Sequence, residues 1–283
     1  MLIYFSCVNL FGQSVDFIHK NITIEQGLPE NTVLDIVEDQ MGFIWLATPN
    51  FLCRYDGADF KLFQKSFDLK IETEKFRKGK LFLRENKLWM ITKGGKLEYM
   101  DLLTENFFPL NNFKNDIKEI KDLNSIYFTE DRRVYLATEG DGLYIVDMEF
   151  NIINHLTDQG KNKLSSNYIN AVFKDNSNQV WALSNKGLNR IKHGVIERYM
   201  EETNFSMGLQ LPFLERLGLA TIGQGIVAKD VATESFHPLF YYSKNQEVVE
   251  NLFISDLFLL PRGLITDWKT WIGSIGNGLM VES

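Results

Sequence analysis

The chain has 283 residues, of which 45% are hydrophobic and 24% charged, with a formal net charge of -7. Its 22 Phe, 10 Tyr and 5 Trp are ample for a large core, and 6 Pro with 20 Gly exclude a low-complexity or disordered chain. The negative balance and the lack of any basic run remove an electrostatic basis for binding nucleic acid or an anionic membrane.

Residues 2–11 are apolar-leaning and lead into Gly12-Gln13-Ser14, the length of a signal-peptide apolar region with small residues near a cleavage point. No Lys or Arg precedes them, so 1–14 is predicted to be a truncated signal peptide, 15–283 a repeat domain, and the location periplasmic or otherwise exported. No later stretch offers the roughly 18 continuous apolar residues of a membrane helix, and no anchor is expected in the chain as it stands. With Cys7 removed, Cys53 stands alone in Phe51-Leu52-Cys53-Arg54-Tyr55. It reads as a small buried strand residue and not as a nucleophile, and no disulfide framework or zinc site can be built.

From residue 32 onward one unit recurs. Trp45, Trp89, Tyr135, Trp181, Gly218 and Trp271 each precede, by three positions, a hydroxyl residue: Thr48, Thr92, Thr138, Ser184, Thr221 and Ser274. The anchors are spaced 44, 46, 46, 37 and 53 apart. Apolar runs at 32–39, 117–128 and 168–175 precede three of them. Turn residues and a second run follow, as in Gly140-Asp141-Gly142-Leu143 and Asn185-Lys186-Gly187-Leu188, which reads as a β-hairpin because Gly and Asn tolerate positive φ. Fourth runs lie at 59–63 and 195–199. Four strands per unit of about 45 residues is one propeller blade. The prediction is an all-β β-propeller of four-stranded blades with six units, closing as six or leaving a gap for a seventh. The recurring aromatics are expected to pack between blades, and the hydroxyls to close turns.

The first unit reads Gly27-Leu28-Pro29-Glu30-Asn31-Thr32-Val33, then Ile36, Asp39, Gly42 and Trp45-Leu46-Ala47-Thr48, followed by Tyr55-Asp56-Gly57. The fourth repeats it through Leu164, Asn167, Asp175, Trp181 and Gly187-Leu188. This pattern resembles the two-component regulator propeller repeat, over about residues 16–283, with Gly218 in place of an aromatic and Phe51 in place of a Gly. The resemblance implies the periplasmic sensor region of Bacteroidetes hybrid histidine kinases, in which seven-bladed propellers precede an immunoglobulin-like domain, a membrane helix and kinase modules. It implies recognition of glycans or their breakdown products. The chain stops in its sixth unit near the third strand, so it is expected to be an N-terminal fragment forming an open or strained ring.

Propeller ligands usually sit on the face built by the loops between the second and third strands and between blades. Those loops offer Asn31, Asn50, Asp141, Asn167, Asn185, Gln224 and Asn277 as candidate ligand-binding residues, since amides and carboxylates suit sugar hydroxyls. The same residue types also form turns by bonding their own backbone. No catalytic constellation is found: glycoside hydrolysis needs two converging carboxylates, and Glu139 with Asp141 lacks a matched partner. His19, His155, His193 and His237 have no metal-ligand spacing and read as surface residues. The expected chain is therefore a non-enzymatic sensor propeller without cofactor or metal. Its expected partners are an oligosaccharide and either the rest of a split sensor or a second copy, with no nucleic acid. The alternatives are a carbohydrate-active propeller enzyme and a protein-interaction scaffold.

Overall fold

The computed structural model describes residues 22–66, 81–93, 95–109, 120, 122–192, 194–211, 216–230, 233–239, 254–262, 267–274 and 278–282. The predicted signal peptide, His19, His193 and Asn277 lie outside them. The first blade contains β1 (Asp35–Glu38), β2 (Ile44–Ala47), β3 (Phe51–Tyr55) and β4 (Phe60–Gln64). The second contains β5 (Leu81–Arg84), β6 (Lys87–Thr92), β7 (Lys96–Asp101) and β8 (Phe107–Pro109). The third follows with β9 (Leu123–Phe128), β10 (Val134–Thr138), β11 (Leu143–Val146) and β12 (Ile152–Leu156), and the fourth with β13 (Ile169–Lys174), β14 (Val180–Ser184), β15 (Gly187–Lys192) and β16 (Val195–Tyr199). The fifth is β17 (Phe205–Leu211), β18 (Arg216–Thr221), β19 (Ile226–Asp230) and β20 (Phe236–Leu239); β21 (Ile254–Arg262), β22 (Asp267–Ser274) and β23 (Gly278–Glu282) form a sixth, three-stranded sheet. Every sheet is antiparallel with its strands in chain order, the plan of a propeller blade.

The middle strands of a blade are covered on both sides, so they read as unbroken apolar runs and not as alternating ones. Every residue of β10 and β14 is buried, whereas the outer strand β12 is mostly exposed. The anchor aromatics supply this cover. Trp45 packs on Leu81, Leu88 and Met90 of the second blade, Trp89 on Val134 and Leu136 of the third, Tyr135 on Val172 and Val180 of the fourth, and Trp181 on Phe205, Leu217 and Leu219 of the fifth. The hydroxyls close turns, as expected: Thr48, Thr92, Thr138, Ser184 and Thr221 donate to the carbonyls of Phe51, Lys96, Gly142, Gly187 and Gly225 at 2.7–3.3 Å. Cys53 is fully buried beside Leu28 and Leu46, and burial together with the nearby Glu30 charge pushes its thiol up to about 12.

Two further devices recur, the first of which gives the Asp of the repeat pattern its role. Asp39 accepts from the Met41 and Phe43 amides at 2.9 and 3.0 Å and from the Trp45 indole N–H at 2.7 Å. Asp175 repeats this with Ser177, Gln179 and Trp181 at 2.9, 2.9 and 2.7 Å. Where the anchor is Tyr135 and has no indole to satisfy, the residue six positions earlier is Thr129, which bonds only the Arg133 backbone. In the second blade the turn shrinks to Glu85-Asn86 with φ 54° at Glu85, the carboxylate is lost, and the buried Trp89 indole nitrogen has no partner among the described residues. Asp175→Ala is expected to cost about 2 kcal/mol, because the turn amides can turn to water while the indole N–H cannot; chemical denaturation measures it.

The second device ties inner strands together across blades. Asp35 accepts from the Leu81 amide at 2.7 Å, the Asn124 amide group donates to the Ile169 carbonyl at 3.1 Å, and that of Asn170 donates to the Phe205 carbonyl at 2.7 Å. Side chains from one blade's first strand thus pair with backbone at the start of the next.

Candidate ligand-binding face

In an antiparallel four-stranded blade, the turn between the second and third strands and the connection into the following blade lie at one edge. The amide-rich loops therefore share one face, and backbone bonds join them. The Asn167 carbonyl of the fourth blade's entry loop accepts from Gly140 and Gly142 of the third blade at 3.1 and 2.9 Å, and the Asn185 amide donates to Tyr168 at 3.2 Å. Asp141, Asn167 and Asn185 are thereby brought together around Tyr168, whose ring lies 3.6 Å from the position a Cβ on Gly140 would take and is 40% exposed. Gly142 fixes this crossing: its φ is +76°, and an added Cβ would meet the Leu156 carbonyl oxygen at 2.2 Å. Gly142→Ala is expected to lose more than about 1 kcal/mol and lower the thermal midpoint.

Most of the predicted side chains already have partners. The Asn167 side chain takes the Asp158 amide and donates to the Asp158 carboxylate, each at 2.8 Å. Asp141 accepts from the Tyr144 hydroxyl, and burial followed by that bond pushes the Tyr144 phenol well up. His155 is exposed, as expected of a surface residue, and there it stacks on Tyr144 at 3.9 Å between ring centres and donates from Nε2 to the Asp141 carbonyl at 2.6 Å. In the first blade Glu30 grips Asn50 through its backbone and side-chain nitrogens at 3.0 and 2.6 Å, and Asn31 accepts from the Ile24 amide at 3.1 Å. Burial pushes the Glu30 carboxyl up, but bonds from Thr48 and Asn50 outweigh it and leave its pKa lowered. Gln224 bonds Thr221 through its backbone and joins none of the other predicted residues by a described contact. Asn185 differs: its Oδ1 is buried and has no hydrogen-bond partner among the described residues. Tyr168, whose value comes from exposure beside these groups, carries no signal in the repeat pattern, because the first blade has Thr32 there.

Residues 27–50 match the two-component regulator propeller family. A 66-residue stretch of this chain is 32% identical to Histidine kinase P4 of Formosa agariphila, covering 23% of this chain and 5% of that one. Its fold is shared with the extracellular domain assigned to a one-component system of B. thetaiotaomicron, at 19% identity and a TM-score of 0.66, covering 92% of this chain and 36% of the other. The extracellular domain assigned to a hybrid two-component system of the same organism also matches, at 19% identity and a TM-score of 0.56 over 92% of this chain and 41% of that one. The chain thus spans about a third of the first of these structures and a small part of the kinase. Among its described residues no helix is long and apolar enough to cross a membrane, and no three His, Cys, Asp or Glu side chains are grouped to hold a metal ion.

Proposed function

We propose that this chain is the ligand-sensing propeller portion of an exported two-component sensor, responding to a glycan and performing no chemistry on it. The repeat and the shared blade architecture support the sensor reading. The observation that carries the glycan reading is the patch between the third and fourth blades. There an exposed Tyr168 ring lies among Asp141, Asn167 and Asn185, and Asn185 holds an acceptor that nothing described satisfies. A sugar offers what such a patch takes: an apolar ring face for the aromatic and hydroxyls that both donate and accept. Asn31, Asn50 and Gln224 are proposed as outlying contacts on the same face, and Asn277, outside the described residues, as a further contact. Transmission of the signal is proposed to belong to a kinase or further propeller acting with this chain, or to a second copy.

The test is a thermal-shift screen of oligosaccharide fragments with product analysis in parallel. A fragment that raises the midpoint without being cleaved, and stops doing so in Tyr168→Ala, is the expected result. Cleavage would make the chain an enzyme instead. A screen without any shift would favour the interaction scaffold.

A further inference from the structure

A groove of about 900 Å³ opens between the third and fourth blades, lined by the turns at 129–133 and 175–179 that join first to second strands, and so lies on the face opposite the amide-rich loops. Tyr135, Ile145, Val180 and Ile191 line its apolar wall, and Arg133 and Lys174 supply cations. The strand register explains why it is there. The cross-strand row that faces the following blade is Trp45–Arg54–Lys61 in the first blade, Trp89–Tyr99–Phe108 in the second and Trp181–Arg190–Glu197 in the fourth. In the third it is Tyr135–Ile145–Asn154. The opposing rows run Leu88–Met100–Phe107 at the first junction and Leu217–Lys229–Phe236 at the fourth, but Val180–Ile191–Ile196 at the third. An Arg or Tyr in the middle strand has become Ile145, and a Phe in the outer strand has become Ile196.

At the first and fourth junctions the equivalent space is filled by a ring, a cation and a carboxylate together. At the first junction Arg54 lies 5.8 Å from the Trp45 ring centre and 2.8 Å from Glu105 of the second blade. At the fourth, Lys229 lies 5.3 Å from the Trp181 ring centre and 2.8 Å from Glu234. The groove at the third junction has the Tyr135 ring on its wall, but its cations meet only exposed carboxylates: Arg133 lies 3.4 Å from Asp131, whose side chain is 61% exposed. The Lys174 side chain is 16% exposed, while Glu130, 3.7 Å away, is 88% exposed and turned to solvent.

We propose that this groove binds an aromatic acid, its ring lying against Ile145, Val180 and Ile191 beside Tyr135 and its anionic group meeting Lys174 and Arg133. A ligand of that class would add a ring against the aliphatic wall and an anion closer to the cations than the exposed Glu130 and Asp131, and concave sites of this size with a few convergent polar groups suit small molecules. The site lies on the other face from the glycan patch and does not depend on it.

Indole-3-acetate titrated into the full chain, followed by ligand-observed NMR and thermal shift, tests this. Saturable one-to-one binding is expected, with indole-3-acetamide roughly tenfold weaker because it lacks the charge. Lys174→Gln is expected to weaken the acid by a similar factor and leave the amide unchanged. Ile145→Tyr, which gives the third blade the middle residue of the second, is expected to keep a cooperative melt and abolish binding; if it does not fold, Ile191→Phe fills the groove from the opposite wall. The proposal is overturned if indole-3-acetate does not saturate, if acid and amide bind alike, or if the filled variant binds as the parent does.

Discussion

Trp181→Ala is expected to lower the unfolding free energy by about 3–5 kcal/mol, the cost of emptying a core site of that size. The indole is 1% exposed, sits against Phe205, Leu217 and Leu219 of the next blade, and spends its N–H on the Asp175 carboxylate. Trp181→Phe separates these contributions. It keeps most of the buried area but strands the buried Asp175 oxygen, which costs about 1–3 kcal/mol. Trp89→Phe is the control: its indole nitrogen has no described partner, so losing it should cost far less despite the same place in the repeat. Urea midpoints for the three variants give the comparison, and equal losses for Trp181→Phe and Trp89→Phe would sink the account of the Asp–Trp bond.

Glu234→Ala is expected to be comparably damaging, by about 3–5 kcal/mol, because it leaves a buried cation without its counter-charge. The Lys229 side chain is 1% exposed and enclosed by Trp181, Tyr199 and Phe236, with Glu234 at 2.8 Å as its carboxylate; Glu234 also holds Arg190 at 2.6 Å. Replacing both partners, Lys229→Met with Glu234→Leu, should recover most of the loss, since apolar residues of similar volume often replace a buried pair at little cost. Acid adds a second signature. Burial pushes the Glu234 carboxyl up, but the bonds and charges of Lys229 and Arg190 outweigh it and leave its pKa below the ordinary 4.5. A carboxyl depressed in the folded state contributes stability that is present above its unfolded value and is lost as the pH falls through the folded one. The melting midpoint should therefore drop more steeply below about pH 4.5 in the parent than in Glu234→Gln.

The blades were legible because each strand is specified locally. The runs at 168–175 and 195–199 reappear as Ile169–Lys174 and Val195–Tyr199, and the hydroxyl three residues after each of the first five anchors closes its own turn. The run at 117–128 begins later as a strand, at Leu123. Beyond the anchor aromatics, whose packing between blades the repeat did predict, contacts between blades were not legible, because their two halves lie far apart in the chain at positions the repeat does not preserve. Nothing in the sequence around Lys229 says that a lysine in a strand will be covered by Trp181, and nothing around Ile145 says that an ordinary strand residue leaves a groove. The candidate sugar face was read as a set of like turn residues. The structure gathers Asp141, Asn167 and Asn185 in one patch, uses most of their polar atoms internally, and turns the emphasis to Tyr168.

The bonds from Asp35, Asn124 and Asn170 to the next inner strand bear on how such an array yields under load. Each couples one blade to its neighbour and to nothing farther along, so a pull on the chain ends is borne by these junctions one after another. The outcome is stepwise lengthening, with each released blade of about 45 residues paying out roughly 150 Å of contour at about 3.4 Å per residue. A sensor built in this way would transmit tension from one end to the other only while every junction between them held.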